Sequence, residues 1–349
     1  MPRFPRLLLV SNFLSPAGGS KSVLEDLADH LRALTDRMIC VSPYRSGWLR
    51  GFHMLSTALL RRPAYDLAIV DLYSGRAFLW GEAVSFLLVA LRRPFILILH
   101  GGALPEFAQR YSRRVRNCLG RATVVAVPSR YLLEQMHPYR VDLRLLPNPI
   151  DLHRYEFKVR THPQPRLIWL RAFHTMYNPS LAARMVSLLM ADFPDLHLTM
   201  VGKDKGDGSL QGLEQVARAL GVADRVSLPG GVPKERVADW ISQGDIFLNT
   251  TNVDNTPVSI LEAMACGLCV ISTNVGGIPY LLEHEKDALL VPPDDPPAMA
   301  AAVRRVLTEP GLAARLSCNA RRKAEAFDWA AILPHWEALL TAVAERHDR

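Results

Sequence analysis

Short, wholly apolar runs recur along the chain, and between them apolar residues return at helical spacing. The first kind of stretch reads as a buried strand and the second as an amphipathic helix. In the first half the strands are expected at Leu7–Ser11, Met38–Val41, Leu67–Val70, Phe95–Leu99, Thr123–Val127 and Arg144–Leu146. Helices fill the gaps, notably Lys21–Leu34, Leu49–Leu60, Trp80–Leu91, Glu106–Leu119 and Arg130–Met136. The second half repeats the pattern, with strands at Leu167–Leu170, Leu196–Val201, Val226–Leu228, Ile246–Asn249, Cys269–Ser272 and Leu289–Val291. Strand and helix alternating in series imply parallel sheets covered on both faces. The expectation is an α/β chain of two doubly wound, Rossmann-like domains, residues 1–157 and 158–330, followed by a terminal helix over 331–349. Asn148 to Pro165, rich in Pro, Asp and His, reads as the linker. Two such domains facing a central cleft would place a ligand outside the carboxyl ends of their strands.

Size and composition agree. A chain of 349 residues suits two domains, and 49% hydrophobic with 21% charged residues is a globular balance. Charge is uneven: residues 1–160 carry 23 Lys and Arg against 12 Asp and Glu, the remainder 18 against 22. The basic half calls for an anionic partner, membrane lipid or nucleic acid, although an arginine-rich genome would explain part of the excess. No nucleic-acid motif or interleaved aromatics support the second partner. Five cysteines give no disulfide framework, and Cys266-x-x-Cys269 lacks a second pair to complete a zinc site. Burial is expected for both, in a reducing compartment. Met1 to Arg6 leads directly into a strand, so no secretory signal is expected. Glu82, Arg92 and Arg93 interrupt the apolar stretch Ala77–Leu99, which argues against a membrane span there.

The most informative segment is Asn249 to Gly267. Ile246–Asn249 ends in a polar turn, Pro257 suits the first turn of a helix, and Gly267 stops it. Unpaired N–H groups and the helix dipole make such a start a seat for phosphate. Asp254 stands before the helix and Glu262 a turn inside it.

This segment resembles the nucleotide-sugar signature of glycosyltransferase family 4, retaining enzymes of the GT-B fold, and the resemblance extends over nearly the whole chain. It implies that Glu262 binds the ribose hydroxyls and that the backbone of Asn255, Thr256, Val258 and Ser259 holds phosphate and donor sugar. Asp254 stands where the family has a first glutamate, one methylene shorter in reach. The turn Ser15 to Ser20 resembles the family's glycine loop, with Gly18 and Gly19 allowing close approach to a ligand. His100, directly after a strand and before Gly101-Gly102, matches the histidine that contacts the donor sugar near the reacting carbon. Pro128-Ser129 and Pro147-Asn148-Pro149 look like the family's serine turn and hinge. Arg171 matches the arginine that neutralises the diphosphate, but the family's following lysine is missing and Tyr177-Asn178 occupy its stretch; Lys203 and Lys205 are candidate substitutes. Val232, after Pro229-Gly230-Gly231, matches the base-binding turn, and the terminal helix matches one that crosses back to the first domain.

The resemblance therefore implies a hexosyltransferase with a nucleotide-sugar donor and a saccharide or lipid-linked acceptor, in cell-envelope polysaccharide or glycoconjugate synthesis. His100, Arg171 and Asp254 are the catalytic candidates. No cofactor or metal is expected, because arginine and a helix start supply positive potential where the diphosphate departs. The protein is expected in the cytoplasm, with the inner membrane surface a candidate partner. Trp48, Phe52, Leu55 and Leu59 recur at helical spacing beside Arg45, Arg50, Arg61 and Arg62, and Arg110, Arg113, Arg114, Arg116 and Arg121 mark a second basic helix. Such a helix either rests on anionic lipid or packs into an ordinary core. Two other functional readings stay open: a nucleotide-sugar epimerase or phosphorylase of the same architecture, and a non-catalytic binding homologue.

Overall fold

The computed structural model describes residues 4–15, 21–32, 34–35 and 37–347. Two compact units result, one of residues 1–149 with 330–349 and one of residues 150–329.

In the first unit β1 (Leu7–Val10), β2 (Met38–Val41), β3 (Leu67–Leu72), β4 (Phe95–Leu99), β5 (Val124–Val127) and β6 (Arg144–Leu145) form one sheet in the order β2-β1-β3-β4-β5-β6. Every pairing is parallel. Around it run α1 (Val23–Leu31), α2 (Gly47–Leu60), α3 (Phe78–Ala90), α4 (Leu104–Arg110), α5 (Ser112–Arg121) and α6 (Arg130–Met136). One face of the sheet (Leu8, Val70, Leu97, Val125) packs on Met54, Val84 and Val115 from three of these helices. The sheet grows one way from β1 to β2 and the other way from β1 to β3. Loops leaving β1 and β3 therefore diverge and open a crevice at their carboxyl ends.

The second unit holds β7 (Arg166–Leu170), β8 (His197–Val201), β9 (Val226–Gly230), β10 (Ile246–Asn249), β11 (Cys269–Thr273) and β12 (Ala288–Val291), in the parallel order β12-β11-β10-β7-β8-β9. Its switch point lies between β7 and β10. The helices are α7 (Pro179–Ser187), α8 (Ser209–Ala219), α9 (Val237–Ile241), α10 (Val258–Ala265), α11 (Ile278–Leu281), α12 (Pro296–Thr308) and α13 (Leu312–Glu325). Strand alternation divides the core: Trp169, Leu248 and Ile271 face one helix layer, Ile168, Phe247 and Val270 the other. The terminal helix α14 (Trp329–His347) belongs, from Ala330 onward, to the first unit.

Three details differ from the sequence expectation. The helix expected over Glu106–Leu119 is two, because Tyr111 breaks it with φ −122° and ψ 44°. Pro257 is the residue before α10, in extended conformation, and not inside the first turn. The stretch after Asn148 is not a loose linker. Ile150, Leu152 and Tyr155 are buried in the second unit's core, and Ile150 exchanges backbone hydrogen bonds with Phe327 (2.8 Å) and Trp329 (3.1 Å). Arg160, 4% exposed, pairs with Asp245 and donates to the carbonyls of Cys266 (3.1 Å) and Gly244 (3.0 Å). Its apolar residues and one buried cation outweigh the Pro-rich composition. Gly18 and Gly19 lie outside the described residues. Among those described, no helix is long and apolar enough to cross a membrane.

Candidate active site

In the second unit the switch point brings the ends of β7 and β10 side by side. β7 delivers Arg171, and β10 delivers the loop that leads to α10. Side chains tie that loop down. Thr250 accepts from the Trp169 indole (2.8 Å) and donates to the Tyr177 carbonyl (2.6 Å); Thr273 donates to the Thr251 carbonyl (2.6 Å). The turn after β11 presses against it from the other side. Gly277 N–H donates to the Asp254 carbonyl (3.0 Å), and a Cβ on Gly276, where φ is +54°, would stand 2.2 Å from that oxygen. Only glycine permits this approach.

Arg171 forms an ion pair with Asp254, and its guanidinium lies 4.2 Å from the centre of the Tyr177 ring. Tyr177 thus occupies the stretch of the missing lysine and gives the arginine a face to rest on. Burial lowers the arginine's pKa, against the pull of Tyr177 and Glu262. The Arg171 Nε–H is buried without a protein acceptor, a strong donor left unsatisfied within the chain. Asp254 also accepts from its neighbour Asn255 N–H at 2.9 Å.

Glu262 projects from the second turn of α10 and is 6% exposed. Tyr155 donates its hydroxyl to Glu262 Oε1 at 2.8 Å, and the Tyr155 phenol is pushed far up, first by burial and then by that carboxylate. α10 begins with no side-chain cap, and the Ser259 hydroxyl is buried without a partner. Its first N–H groups carry the positive end of the helix dipole, in the chain segment that follows Asp254. Arg171, Asp254, Asn255, Thr256, Val258, Ser259 and Glu262 are therefore gathered at one strand junction. Val232 follows β9, two strands from β7. Between them Gly202 and Gly231 allow close packing: a Cβ on Gly202 would lie 1.7 Å from the Arg171 carbonyl, and one on Gly231 2.2 Å from the Lys203 side chain. Lys203 and Lys205 are both exposed, and Lys203 runs beside the Gly231-Val232 turn.

The first unit builds a different group at its own switch point. Asp71 is the penultimate residue of β3, and its carboxylate accepts from the Ser11 hydroxyl and from His100 Nε2 (2.8 Å). Tyr73 stacks on the His100 ring, centroids 5.0 Å apart and planes 20° from parallel. Burial first, and then the Asp71 charge, hold the Tyr73 phenol well above its ordinary range. Asp71 is nearly inaccessible and His100 about a tenth exposed. A carboxylate on Nε2 fixes the proton there, which leaves Nδ1 of the neutral ring as the acceptor.

Two family descriptions match the chain in tandem. "Glycosyltransferase Family 4" covers residues 17–154 and "Glycosyl transferases group 1" residues 164–309. This chain belongs to the family 4 glycosyltransferases. Curated relatives include D-inositol 3-phosphate glycosyltransferases of Streptomyces avermitilis (30% identical over 54% of this chain and 42% of the relative) and Geodermatophilus obscurus (30% over 58% and 47%). The match spans less than half the length of each relative. Among solved structures, Anabaena HepE in complex with UDP and glucose aligns with a TM-score of 0.80 at 18% identity, over 96% of this chain and 99% of that one. Sucrose-phosphate synthase from Thermosynechococcus elongatus aligns with a TM-score of 0.78 at 20% identity, over 95% and 97%. These likenesses establish the GT-B fold for this glycosyltransferase, as the sequence resemblance implied.

Sequence reading missed four residues of these groups in this family 4 chain: Ser11, Asp71, Tyr73 and Tyr155. An aspartate inside the wholly buried run Leu67–Leu72 was a usable signal for Asp71. Tyr155 had none, since it meets Glu262 from 107 positions away.

Proposed function

We propose that this glycosyltransferase moves a hexosyl group, with retention of configuration, from a nucleotide-sugar donor to a saccharide or lipid-linked acceptor at the cytoplasmic face of the cell envelope. The observation that carries this reading is the buried Arg171 Nε–H without an acceptor, beside the uncapped start of α10. Both are fixed positive potential at one point, which is what a departing diphosphate requires. Glu262, with one oxygen held by Tyr155, is oriented to accept from the ribose hydroxyls. Val232 and Gly231 offer backbone to the base, and Lys203 takes the place of the family lysine. Asp254, through its bond to Arg171, sets the position of the cation and meets the donor sugar. His100, aligned by Asp71, contacts the hexose near its reacting carbon. The UDP and glucose bound in the structure of HepE are ligands of the kind this reading requires.

A thermal-shift screen of UDP-, GDP- and ADP-hexoses tests donor binding, since a ligand of the native state alone raises the midpoint. Turnover with the stabilising donor is then followed with and without a chelator. We expect transfer to proceed without added divalent cation. No shift with any nucleotide sugar would sink the reading. An isomerised nucleotide sugar formed without acceptor would replace it with an epimerase.

A further inference from the structure

Away from both switch points, the outer face of α2 and α3 leaves a groove of about 930 Å³. Phe52, Leu59 and Leu60 line it from α2, and Leu79 and Phe86 from α3. The two helices approach closely because α2 has Gly51 under the Trp80 ring, where a Cβ would stand 2.2 Å from that ring. The apolar side chains on this face are not core residues: Trp48 is 80% exposed, Leu60 75%, Phe52 71% and Phe86 63%. Of the four residues spaced along α2 in the sequence, only Leu55 packs against the core. A contiguous exposed patch of this kind marks an interaction surface.

Its rim is cationic. The carboxyl ends of α2 and α3 bring Arg61, Arg62, Arg92 and Arg93 together; Arg93 donates to the Arg62 carbonyl (2.9 Å) and Arg62 to the Leu91 carbonyl (3.3 Å). Arg121 of α5 lies 5.4 Å from the Phe86 ring centre. Among the described residues, none of these five arginines has a carboxylate within ion-pair reach, whereas Glu82 in the groove wall is already paired with Arg114. The charge of Arg61, Arg62, Arg92 and Arg121 is therefore available to an outside partner, whereas Arg93 lies over the Tyr65 ring (5.7 Å). A second copy on a two-fold axis would offer the same cationic patch and no free carboxylate from it to pair with these arginines, which disfavours self-association. A bilayer leaflet supplies what the face lacks, acyl chain for the groove and phosphate for the rim.

We propose that the α2–α3 face is a membrane-binding surface that seats on anionic phospholipid, with Trp48, Phe52, Leu60 and Phe86 below the headgroups and the arginine cluster on lipid phosphates. The inference is independent of the donor reading, because lipid binding requires no turnover.

Flotation with vesicles of phosphatidylglycerol and phosphatidylcholine, against phosphatidylcholine alone, tests it. We expect the full chain to float with the anionic vesicles, and both Phe52→Ser with Phe86→Ser and Arg61→Glu with Arg62→Glu to weaken binding roughly tenfold or more. These side chains are exposed, so an unchanged melting midpoint shows that each variant is folded. High salt should erase the arginine contribution and leave the apolar one. Brominated acyl chains should quench the fluorescence that a Trp48→Phe variant loses. No flotation with anionic vesicles, binding indifferent to Phe52 and Phe86, or a dimer that the same substitutions dissolve while vesicles go unbound would each overturn the proposal.

Discussion

The two units use one architecture to opposite ends. Each has a six-stranded parallel sheet with a single switch point, and each gathers its polar side chains there. At and beside the switch point of the second unit the group mixes charges: Arg171, the start of α10 and Lys203 after β8, with Asp254 and Glu262 as carboxylates. At that of the first unit it is a closed network of Ser11, Asp71, Tyr73 and His100 around one buried carboxylate. The first group sets unpartnered donors beside a helix start, and the second holds a ring in one orientation. Strand topology thus decides where chemistry collects, and the residues at the junction decide which chemistry it is.

If binding resides in the second unit and positioning at the reacting carbon in the first, substitutions should separate KM from kcat. The largest effect is expected for Arg171→Ala, which removes a charge-assisted contact and leaves Asp254 without its cation. Loss of about 3–4 kcal/mol, or roughly 10²- to 10³-fold in kcat/KM, follows, mostly through donor KM. A drop below about tenfold would place the diphosphate elsewhere.

His100→Ala should lower kcat about 10²-fold with donor KM nearly unchanged, and Asp71→Asn about tenfold through the wrong tautomer. A rise in donor KM of the same size in either variant would merge the two roles and break the comparison. Gly202→Ala tests the close packing of β7 against the end of β8 in the second unit. A Cβ 1.7 Å from the Arg171 carbonyl must push β7 from β8, so unfolding stability should fall by about 2 kcal/mol, read by urea titration. Tyr155→Phe leaves Glu262 with one fewer donor and should raise donor KM about fivefold, near 1 kcal/mol.

The smallest effect concerns the thiols. Burial pushes Cys266 and Cys269 up to about 12, so neither should react with a thiol reagent near neutral pH until the chain unfolds. The sign of the linkage follows from the same values. Both folded thiols keep their protons after the unfolded ones, at about 9, begin to lose them. Their contribution to stability is complete below about 9 and declines as pH rises toward 12.

Most of the strands were legible from the sequence because a strand buried on both faces has to be apolar throughout. Phe95–Leu99 and Ile246–Asn249, buried throughout, have the expected bounds, as does the half-buried edge strand Met38–Val41. Segments whose role depends on distant partners were not legible. Ile150 to Arg160 has a linker's composition, yet Ile150, Leu152, Tyr155 and Arg160 are buried in the second unit. The face of α2 has the spacing of a core helix, yet Phe52 and Leu59 point to solvent because Gly51 and Met54 carry the packing instead.

Taken alone, the sequence determined the alternation of strand and helix, the parallel sheets, the family, and the cluster from Arg171 to Glu262, because local periodicity and turn chemistry are written in neighbouring residues. Strand order, the Ser11–Asp71–His100 network, the Tyr155–Glu262 bond and the outward face of α2 were decided only by tertiary structure. Each joins positions far apart in the chain, and short-range propensity does not fix which of many compact pairings buries the most apolar surface while satisfying every buried polar group.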